Sequence, residues 1–201
     1  TTDTYKQEII DSTNYVSNSE FVLVNNKSGL PLQWDDTYRQ CGVTFSCAVN
    51  TATGWNDNTS LMISTNTNIP NTWSHISGKE IDVRPNEQYE VVTHMKLNDF
   101  ATQSHVVIEG FNGTSIKWYQ IRHCPTGSNG PLEWHAFGCE VTVPAATSKI
   151  RLTLNAGWSS QEGSEATSLF DAMYITKAAT TNTSNSEFVL VNNKSGLPLQ
   201  W

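Results

Sequence analysis

Residues 88–97 read QYEVVTHMKL, and this stretch shows most clearly which fold the chain adopts. Tyr89, Val91, Met95 and Leu97 occupy alternate positions, and the positions between them are mainly polar. A period of two is the period of a β-strand, because successive side chains of a strand point to opposite faces of the sheet. The stretch therefore predicts a strand with one face in the core and one polar face.

Similar runs follow one another along the chain, and turn residues separate them. Asn112-Gly113, between two apolar runs, is the best hairpin signal. Short strands at this spacing, with no helical period between them, predict an all-β fold: an antiparallel β-sandwich, or jelly roll, without substantial helix. The predicted strands cover residues 20–25, 43–49, 60–65, 72–76, 79–84, 88–97, 103–111, 114–123, 136–143, 149–155 and 168–175.

Length and charge exclude several classes of protein. The chain has 201 residues, of which 15% are charged, and its formal net charge is −7. This length suits the core of one domain of ordinary size. No stretch clusters Lys or Arg with aromatic residues, so nucleic acid and anionic membranes are disfavoured as partners. The apolar run at 21–24 is far shorter than the ~20 residues that a membrane span needs.

One stretch of the sequence occurs twice. Residues 17–34 and residues 184–201 both read SNSEFVLVNNKSGLPLQW, and residue 184 lies 167 positions after residue 17. The repeat predicts a module of 167 residues followed by the opening of a second one. We expect residues 1–16 to be an extension or linker, 17–177 to be the β-sandwich module, and 178–201 to be a linker plus a duplicated first strand.

The duplicated strand suggests how copies could join. Residues 20–24 would fill the first-strand position of their own module, so the second copy would need an equivalent position elsewhere. We therefore expect residues 184–201 to supply a first strand to the next unit, as the start of the next repeat or by strand addition between chains. The assembly residues would be Phe188, Val189, Leu190 and Val191.

The cysteines indicate an oxidising compartment. There are four, none of them in a Cys-x-x-Cys pair, and an even number without metal spacing favours two disulfides. Of the three possible pairings, the spacing favours Cys41–Cys47 and Cys124–Cys139. We expect an extracellular or cell-surface protein. Acceptor triplets for N-glycosylation, which arise easily in a chain rich in Asn and Thr, start at Asn26, Asn58, Asn112, Asn182 and Asn193.

An ordered series of short motifs spans residues 20–176. The motifs are GLPLQW (29–34), SLMIS (60–64), TWS (72–74), IDVRPNEQY (81–89), VTVPA (141–145) and FDAMYI (170–175). In this order they resemble non-catalytic carbohydrate-binding modules with a galactose-binding-like jelly roll. Modules that look like this lie beside glycoside hydrolases and are also strung in tandem in prokaryotic surface proteins, so the fold alone does not decide the function.

No catalytic constellation is visible, and we predict that the chain is not an enzyme. It has no Gly-x-Ser-x-Gly, no His-Glu-x-x-His and no phosphate-binding glycine loop. Glu109, Glu133 and Glu140 could supply the carboxylate pair that glycoside hydrolysis needs. Nothing in the sequence brings two of them together, so solvated or ion-paired carboxylates are the preferred interpretation.

The polar positions between the apolar ones suggest a ligand face. Arg151, Thr153 and Asn155, for example, alternate with Leu152 and Leu154. A sugar ring stacks on an aromatic side chain, and its hydroxyls bond with amide, imidazole and guanidinium groups. The alternative is that the aromatic residues cap the core. The predicted ligand residues are Trp118, Gln120, His94, His105 and Arg122.

The resemblance also implies a structural calcium ion where the first and last strands meet. Asp171 matches the first Asp of the closing Phe-Asp-Asp, Glu20 is placed like the early acid, and Asp57 lies in the loop before Ser60. Ala172 stands where those modules have a second Asp, so a site here has one carboxylate fewer. Oxygen ligands suit calcium. A surface ion pair is the alternative.

Two functions fit these observations. The first is a structural unit of an extracellular filament or surface layer, with copies of itself or neighbouring repeats as partners. The second is a glycan-binding module whose partner is a polysaccharide. The identical repeat favours the first, and the resemblance and the polar face favour the second. We predict the structural unit as the main function and glycan binding as its alternative.

Overall fold

The computed structural model describes residues 14–39, 45–65, 74–97, 102–112, 118–124, 133–159 and 167–178. Within these ranges the regular structure is β-strand, and no helix is long and apolar enough to cross a membrane. The strands in chain order are β1 (Trp34–Arg39), β2 (Phe45–Asn50), β3 (Ser60–Thr65), β4 (Ser74–Gly78), β5 (Ile81–Asp82), β6 (Gln88–Leu97), β7 (Thr102–Asn112), β8 (Trp118–Cys124), β9 (His135–Thr142), β10 (Thr147–Ser159) and β11 (Thr167–Lys177).

The strands form two antiparallel sheets that pack as a sandwich. The first sheet has the order β1-β4-β10-β7-β8, and the short β5 also pairs with β10. The second sheet has the order β2-β3-β11-β6-β9. Neighbouring strands such as β3 and β11 are far apart in sequence, so the chain crosses repeatedly between the sheets. The all-β sandwich predicted from the sequence is confirmed.

The alternation of apolar residues decides which face of each strand enters the core. In β6, Tyr89, Val91 and Met95 are buried between the sheets, and in β10 Leu152 and Leu154 lie in the same cluster. Burial of one large apolar side chain contributes about 1.5–3 kcal/mol. The facing apolar surfaces of the two sheets therefore supply most of the stabilisation of the fold.

Residues 20–25 do not form the predicted first strand. Phe21 is fully buried, whereas Val22 and Leu23 are 53% and 57% exposed, and Val24 makes an isolated bridge. Phe21 has a φ of 55°, which lies in the left-handed region and interrupts an extended strand. The apolar run thus sends one large side chain into the core and leaves the others at the surface.

The amide of Asn18 holds residues 17–34 in a compact loop. Its Nδ2 donates to the carbonyl oxygens of Leu23 at 2.8 Å and Leu32 at 2.9 Å. Its Oδ1 accepts the N–H of Leu23 at 3.0 Å. One side chain therefore fixes both arms of the loop. We call residues 17–34 the N-terminal hook.

Strand β1 has no alternation that would predict it. Its sequence is WDDTYR, yet it pairs with β4 at the edge of the first sheet. The register between the two strands shifts within β1. A strand at a sheet edge has one partner only, so its apolar pattern is less strongly required.

The Cys124–Cys139 disulfide joins the two sheets. Cys124 ends β8 and Cys139 lies in β9, and their Cα atoms are 6.1 Å apart. This predicted pairing is confirmed. Cys47 in β2 is also disulfide-bonded. Cys41 lies outside the described residues, so the Cys41–Cys47 pairing stays a prediction.

The glycosylation sites and the second copy of the repeat stay predictions too. Asn26 and Asn58 are exposed, as an acceptor must be. The other sites and the predicted assembly residues lie outside what the structure describes: the side chain of Asn112, and Asn182, Phe188, Val189, Leu190, Val191 and Asn193.

Replacing both Cys124 and Cys139 by Ser should lower the free energy of unfolding by about 3 kcal/mol, because the bond closes a loop of 15 residues in the unfolded chain. Urea denaturation without reductant measures this loss. With reductant present, the wild type and the variant should unfold at similar urea concentrations. Equal midpoints without reductant would contradict the prediction.

Candidate functional site

The outer face of the first sheet carries polar side chains in adjacent rows. Asn155 of β10 is in register with both His75 of β4 and His105 of β7. One row further, Thr153 is in register with Ser77. These side chains alternate with the core residues of their strands, so they point away from the core. We call the following residues the polar face: His75, Ser77, His105, Glu109, Arg151, Thr153 and Asn155.

Glu109 is the centre of the hydrogen bonds on the polar face. Its Oε2 accepts from Nε of Arg151 at 2.5 Å and from Oγ1 of Thr153 at 2.8 Å. Oγ1 of Thr153 also lies 2.7 Å from Oγ of Ser77. The guanidinium carbon of Arg151 lies 5.1 Å from the ring centroid of Phe111. The chain of bonds crosses three strands and fixes these side chains in place.

The ion pair of the polar face is buried. Glu109 is 3% exposed and Arg151 is 8% exposed. Removing one partner of such a pair leaves a buried charge and costs about 3–5 kcal/mol. Burial is also the main cause that lowers the pKa of His75, which Glu109 raises and Arg151 lowers further. Its ring is therefore neutral at pH 7, with one N–H donor and one acceptor nitrogen.

The structure separates two histidines that the sequence analysis placed on one ligand face. His105 is on the polar face, where its Nε2 lies 3.4 Å from Nδ2 of Asn155. His94 is in the second sheet, and its ring stacks on Trp55 with centroids 4.4 Å apart. Alternation within a strand shows which residues share a side, but it does not show which sheet the strand joins. The two residues therefore cannot form one site.

Arg122 also departs from its predicted place. The register between β7 and β8 shifts between Ile108 and Glu109, which marks a bulge. Arg122 is consequently in register with the core residue Ile108, and its Nη1 donates to the carbonyl of Glu140 in β9 at 2.5 Å. A bulge inserts one residue and so reverses the alternation beyond it. Arg122 links the edges of the two sheets instead of joining the polar face.

Trp118 and Gln120 lie on the other side of that bulge. The backbone of Gln120 is in register with Glu109, and that of Trp118 is in register with Phe111. Both residues are thus adjacent in the sheet to the polar face. Their side chains lie outside what the structure describes, so their role as ligand residues stays a prediction.

A groove of about 560 Å³ adjoins the polar face at Arg151. The residues that line it include Leu32 and Gln33 of the hook, Lys79 after β4 and Asp82 of β5. Binding sites for small ligands are commonly about 300–1,000 Å³. The groove therefore extends the surface that a ligand could cover.

Of the predicted ligand residues, only His105 belongs to the polar face, although the sequence carries a signal for other members. The alternation of Arg151, Thr153 and Asn155 with two leucines already placed these residues on one outer side. Glu109 was treated as a solvated or ion-paired carboxylate, and the ion pair is what the structure shows. His75 had no signal of its own, because β4 has only five residues.

Three carboxylates form a second polar cluster, on the second sheet. Oδ2 of Asp171 accepts the N–H of Trp55 at 2.6 Å, and its Oδ1 accepts the N–H of Ala172 at 2.7 Å. Glu20 accepts the hydroxyl of Tyr174 at 2.9 Å. We call Glu20, Asp57 and Asp171 the acidic junction.

The charges of the acidic junction act on one another. Burial is the main cause that raises the pKa of Asp171 to about 7, and the negative charges of Glu20 and Asp57 raise it further, while the two backbone N–H groups lower it. The three predicted calcium ligands therefore lie close enough to interact. Among the described residues, however, no three Asp, Glu, His or Cys side chains are placed so that they could hold a metal ion together. Backbone carbonyls would have to complete the coordination.

The sequence has no match among family models or curated proteins. Its structure, however, matches solved structures. The structure described as Family 16 Carbohydrate Binding Module-2 has a TM-score of 0.56 at 12% identity, with 82% of this chain and 100% of that chain covered. The CBM22-1 xylan-binding domain of Xyn10C from Paenibacillus barcinonensis has a TM-score of 0.54 at 17% identity, covering 84% of this chain and 97% of that one. The chain has the fold of a carbohydrate-binding module.

A larger protein contains a similar module. The CBM22-1 and GH10 modules of the Clostridium thermocellum xylanase 10B match with a TM-score of 0.55 at 14% identity, over 84% of this chain but 28% of that chain. The match thus covers only part of the xylanase. Identities this low establish the shared fold of the module and nothing about its ligand.

The stability of the module should depend on pH through Asp171. The pKa of this carboxyl rises from 3.8 to about 7 on folding, so the folded state binds the proton more tightly. Its contribution is fully present below pH 3.8 and is lost as the pH rises towards 7. Thermal melts of the wild type and Asp171→Asn in the presence of chelator should show the wild type losing stability relative to the variant between these values. Parallel pH profiles would contradict this assignment.

Proposed function

We propose that the chain is a non-catalytic module that binds a polysaccharide through the polar face and the adjoining groove. The observation that carries the proposal is the fixed array of hydrogen-bonding side chains in adjacent rows of the first sheet. An extended glycan presents hydroxyl groups along its length, so the imidazole of His75 and the amide of Asn155, which are half-buried, are complementary to it. Ser77 and Thr153 are buried and hold the array in place. The shared fold supports the proposal.

The chemistry of the polar face suits a neutral sugar. The charges of Glu109 and Arg151 balance each other at 2.5 Å. The neutral ring of His75 and the amide of Asn155 can each donate and accept, which matches a hydroxyl group. Bonds that are already oriented by neighbouring strands lose little freedom when a ligand binds.

The same ion pair argues against catalysis. Hydrolysis of a glycosidic bond generally needs two carboxyl groups, one on each side of the bond. Among the described residues, Glu109 is the one carboxylate of the polar face, and it is held by Arg151 and Thr153. The face therefore supports binding and offers no acid–base pair.

Xylan is the first polysaccharide to test. One structural neighbour is described as a xylan-binding domain, and another was solved with xylohexaose. We also propose an extracellular or cell-surface location, which the disulfide bonds support because they persist in oxidising surroundings.

A second candidate is a structural unit that joins copies of itself or neighbouring repeats in a filament or surface layer. The identical copies at 17–34 and 184–201 favour it. The first copy does not favour joining by strand addition, because residues 20–25 form a loop and not a strand. The hook lines part of the groove through Leu32 and Gln33, so the two candidate functions share this part of the module.

Affinity electrophoresis in gels with and without soluble xylan tests glycan binding. Wild type should be retarded by the polysaccharide, and His75→Ala or Asn155→Ala should each weaken binding by about 2- to 10-fold, the range expected for one lost hydrogen bond. Gln88→Ala, an exposed change in the second sheet, is the matched control and should bind like wild type. If xylan and a panel of neutral glucans, mannans and galactans all fail to retard the wild type, the proposed function is wrong.

We further propose that the acidic junction binds a structural calcium ion. Carboxylate and carbonyl oxygens are the ligands that calcium prefers, and a cation would relieve the repulsion among Glu20, Asp57 and Asp171. The oxygen chemistry of the donors fits calcium, but Asp171, Glu20 and Asp57 do not form a ready group of three ligands. They would have to approach one another to hold the ion. Its role would be to join the hook, the loop before β3 and β11.

Calcium should raise the melting temperature of the wild type, and chelator should lower it, because an ion that binds only the folded state stabilises it. Asp171→Asn should abolish the response. Asp82→Asn, a change at the exposed position of β5, should keep it. No shift of the wild type across a wide calcium range would leave only the ion-pair interpretation.

A further inference from the structure

Part of β11 is covered by the N-terminal residues in place of a strand. β3 pairs with β11 only along residues 167–170. Further along, the N–H of Met173 donates to the carbonyl of Ser19 at 3.1 Å, and the N–H of Tyr15 donates to the carbonyl of Ile175 at 2.9 Å. We call this part of β11, with the core surface beside it, the hook slot.

The hook fills the slot with a small set of side chains. Phe21, Leu30 and Trp34 are almost fully buried, and the rings of Phe21 and Trp34 are 5.0 Å apart. Glu20 adds its bond to the hydroxyl of Tyr174. All of these residues, together with Asn18, belong to the stretch that occurs twice.

The second copy carries every one of these docking residues. They recur as Asn185, Glu187, Phe188, Leu197 and Trp201. The difference lies just before the repeat. The position of Asn14 is taken by Thr181 in the second copy, and that of Tyr15 by Asn182.

Asn14 gives the first copy hydrogen bonds to β11 that the second copy cannot make. Its Nδ2 donates to the carbonyl of Met173 at 3.0 Å, and its Oδ1 accepts the N–H groups of Val16 at 3.0 Å and Ile175 at 3.1 Å. Threonine is shorter and has no amide, so it cannot make the same set of bonds. The two copies therefore match in the hook and differ in this anchor.

The second copy of the same chain is within reach of the slot. Residues 14–19 run antiparallel to the end of β11, which is the direction that a chain turning back after Lys177 would take. From Ala178 to the position of Ser17 is about 13 Å along the strand and about 5 Å across to its neighbour. The six steps between consecutive Cα atoms from Ala178 to Ser184 can span about 20 Å.

We propose that the hook slot also accepts residues 184–201 of the same chain, so that two identical segments compete for one slot. The first copy holds the slot in the intact chain because of Asn14. Attachment to the same molecule gives the second copy a high effective concentration, which favours it over a copy from another molecule. The segment outside the slot keeps all its docking residues.

Thermal unfolding of the full chain tests the competition by a double-mutant cycle. Phe188→Ala alone should leave the melting temperature unchanged. Phe21→Ala should lower it modestly while Phe188 is present, and the same change should lower it at least about twice as much in the double variant. Equal losses from Phe21→Ala with and without Phe188 would overturn the proposal.

Limited trypsin digestion gives a second measurement that does not rely on a destabilising change. Lys27 and Lys194 are equivalent residues of the two copies. In wild type, cleavage after Lys194 should be faster than after Lys27, and Asn14→Thr should increase cleavage after Lys27 and protect Lys194. His135→Thr, an exposed change at the start of β9, is the control substitution and should leave both rates unchanged.

Dilution of the protein distinguishes a segment of the same molecule from a segment of a second molecule as the occupant of the hook slot. The cleavage ratio of Asn14→Thr should not depend on protein concentration, because both segments belong to one molecule. A ratio that changes on dilution, with a dimer in sizing experiments, would assign the slot to a second molecule and overturn the intrachain proposal. Unchanged cleavage in Asn14→Thr would also overturn it.

Discussion

The buried carboxylate of Asp171 is the constraint on which the second sheet depends. It accepts the N–H of Trp55 from the loop before β3 and the N–H of Ala172 in its own strand. Ala172 has a φ of 43°, so β11 bends there and its register shifts before Tyr174. Because of this bend, Met173 turns its N–H to Ser19. The loop, the bulge and the N-terminal segment therefore share one polar centre.

A buried charge is balanced differently on the two outer faces of the sandwich. On the first sheet, Glu109 is paired with Arg151, so both charges are compensated by a direct partner. On the second sheet, Asp171 has backbone donors but no cationic side chain among the described residues to balance it, and burial raises the pKa of its carboxyl to about 7. A compensated face is stable as it stands, whereas an uncompensated one responds to protons or to an added cation.

The sequence predicts the long strands well and the irregular parts poorly, for a physical reason. β6, β7, β10 and β11 pack one face on the core, so their apolar residues must alternate, and the alternation is visible. The hook depends on positive φ angles at Asn18, Phe21 and Gln33, which no periodicity reports. The candidate site shows the same division. The residues of β10 follow the pattern, whereas Arg122 leaves it at a bulge, and His94 belongs to a different sheet.

The antiparallel contact between residues 14–19 and the end of β11 determines how the module responds to a pulling force. The chain enters the described module beside Ile175 and leaves it after Ala178, so both connections lie at the same end of the sandwich. Tension applied through these connections would not shear the two segments past each other. It would peel them apart one hydrogen bond at a time, starting with Tyr15 and Ile175. The N-terminal segment would thus yield first under force, while the Cys124–Cys139 bond, at the edge where β8 and β9 meet, would keep the two sheets together.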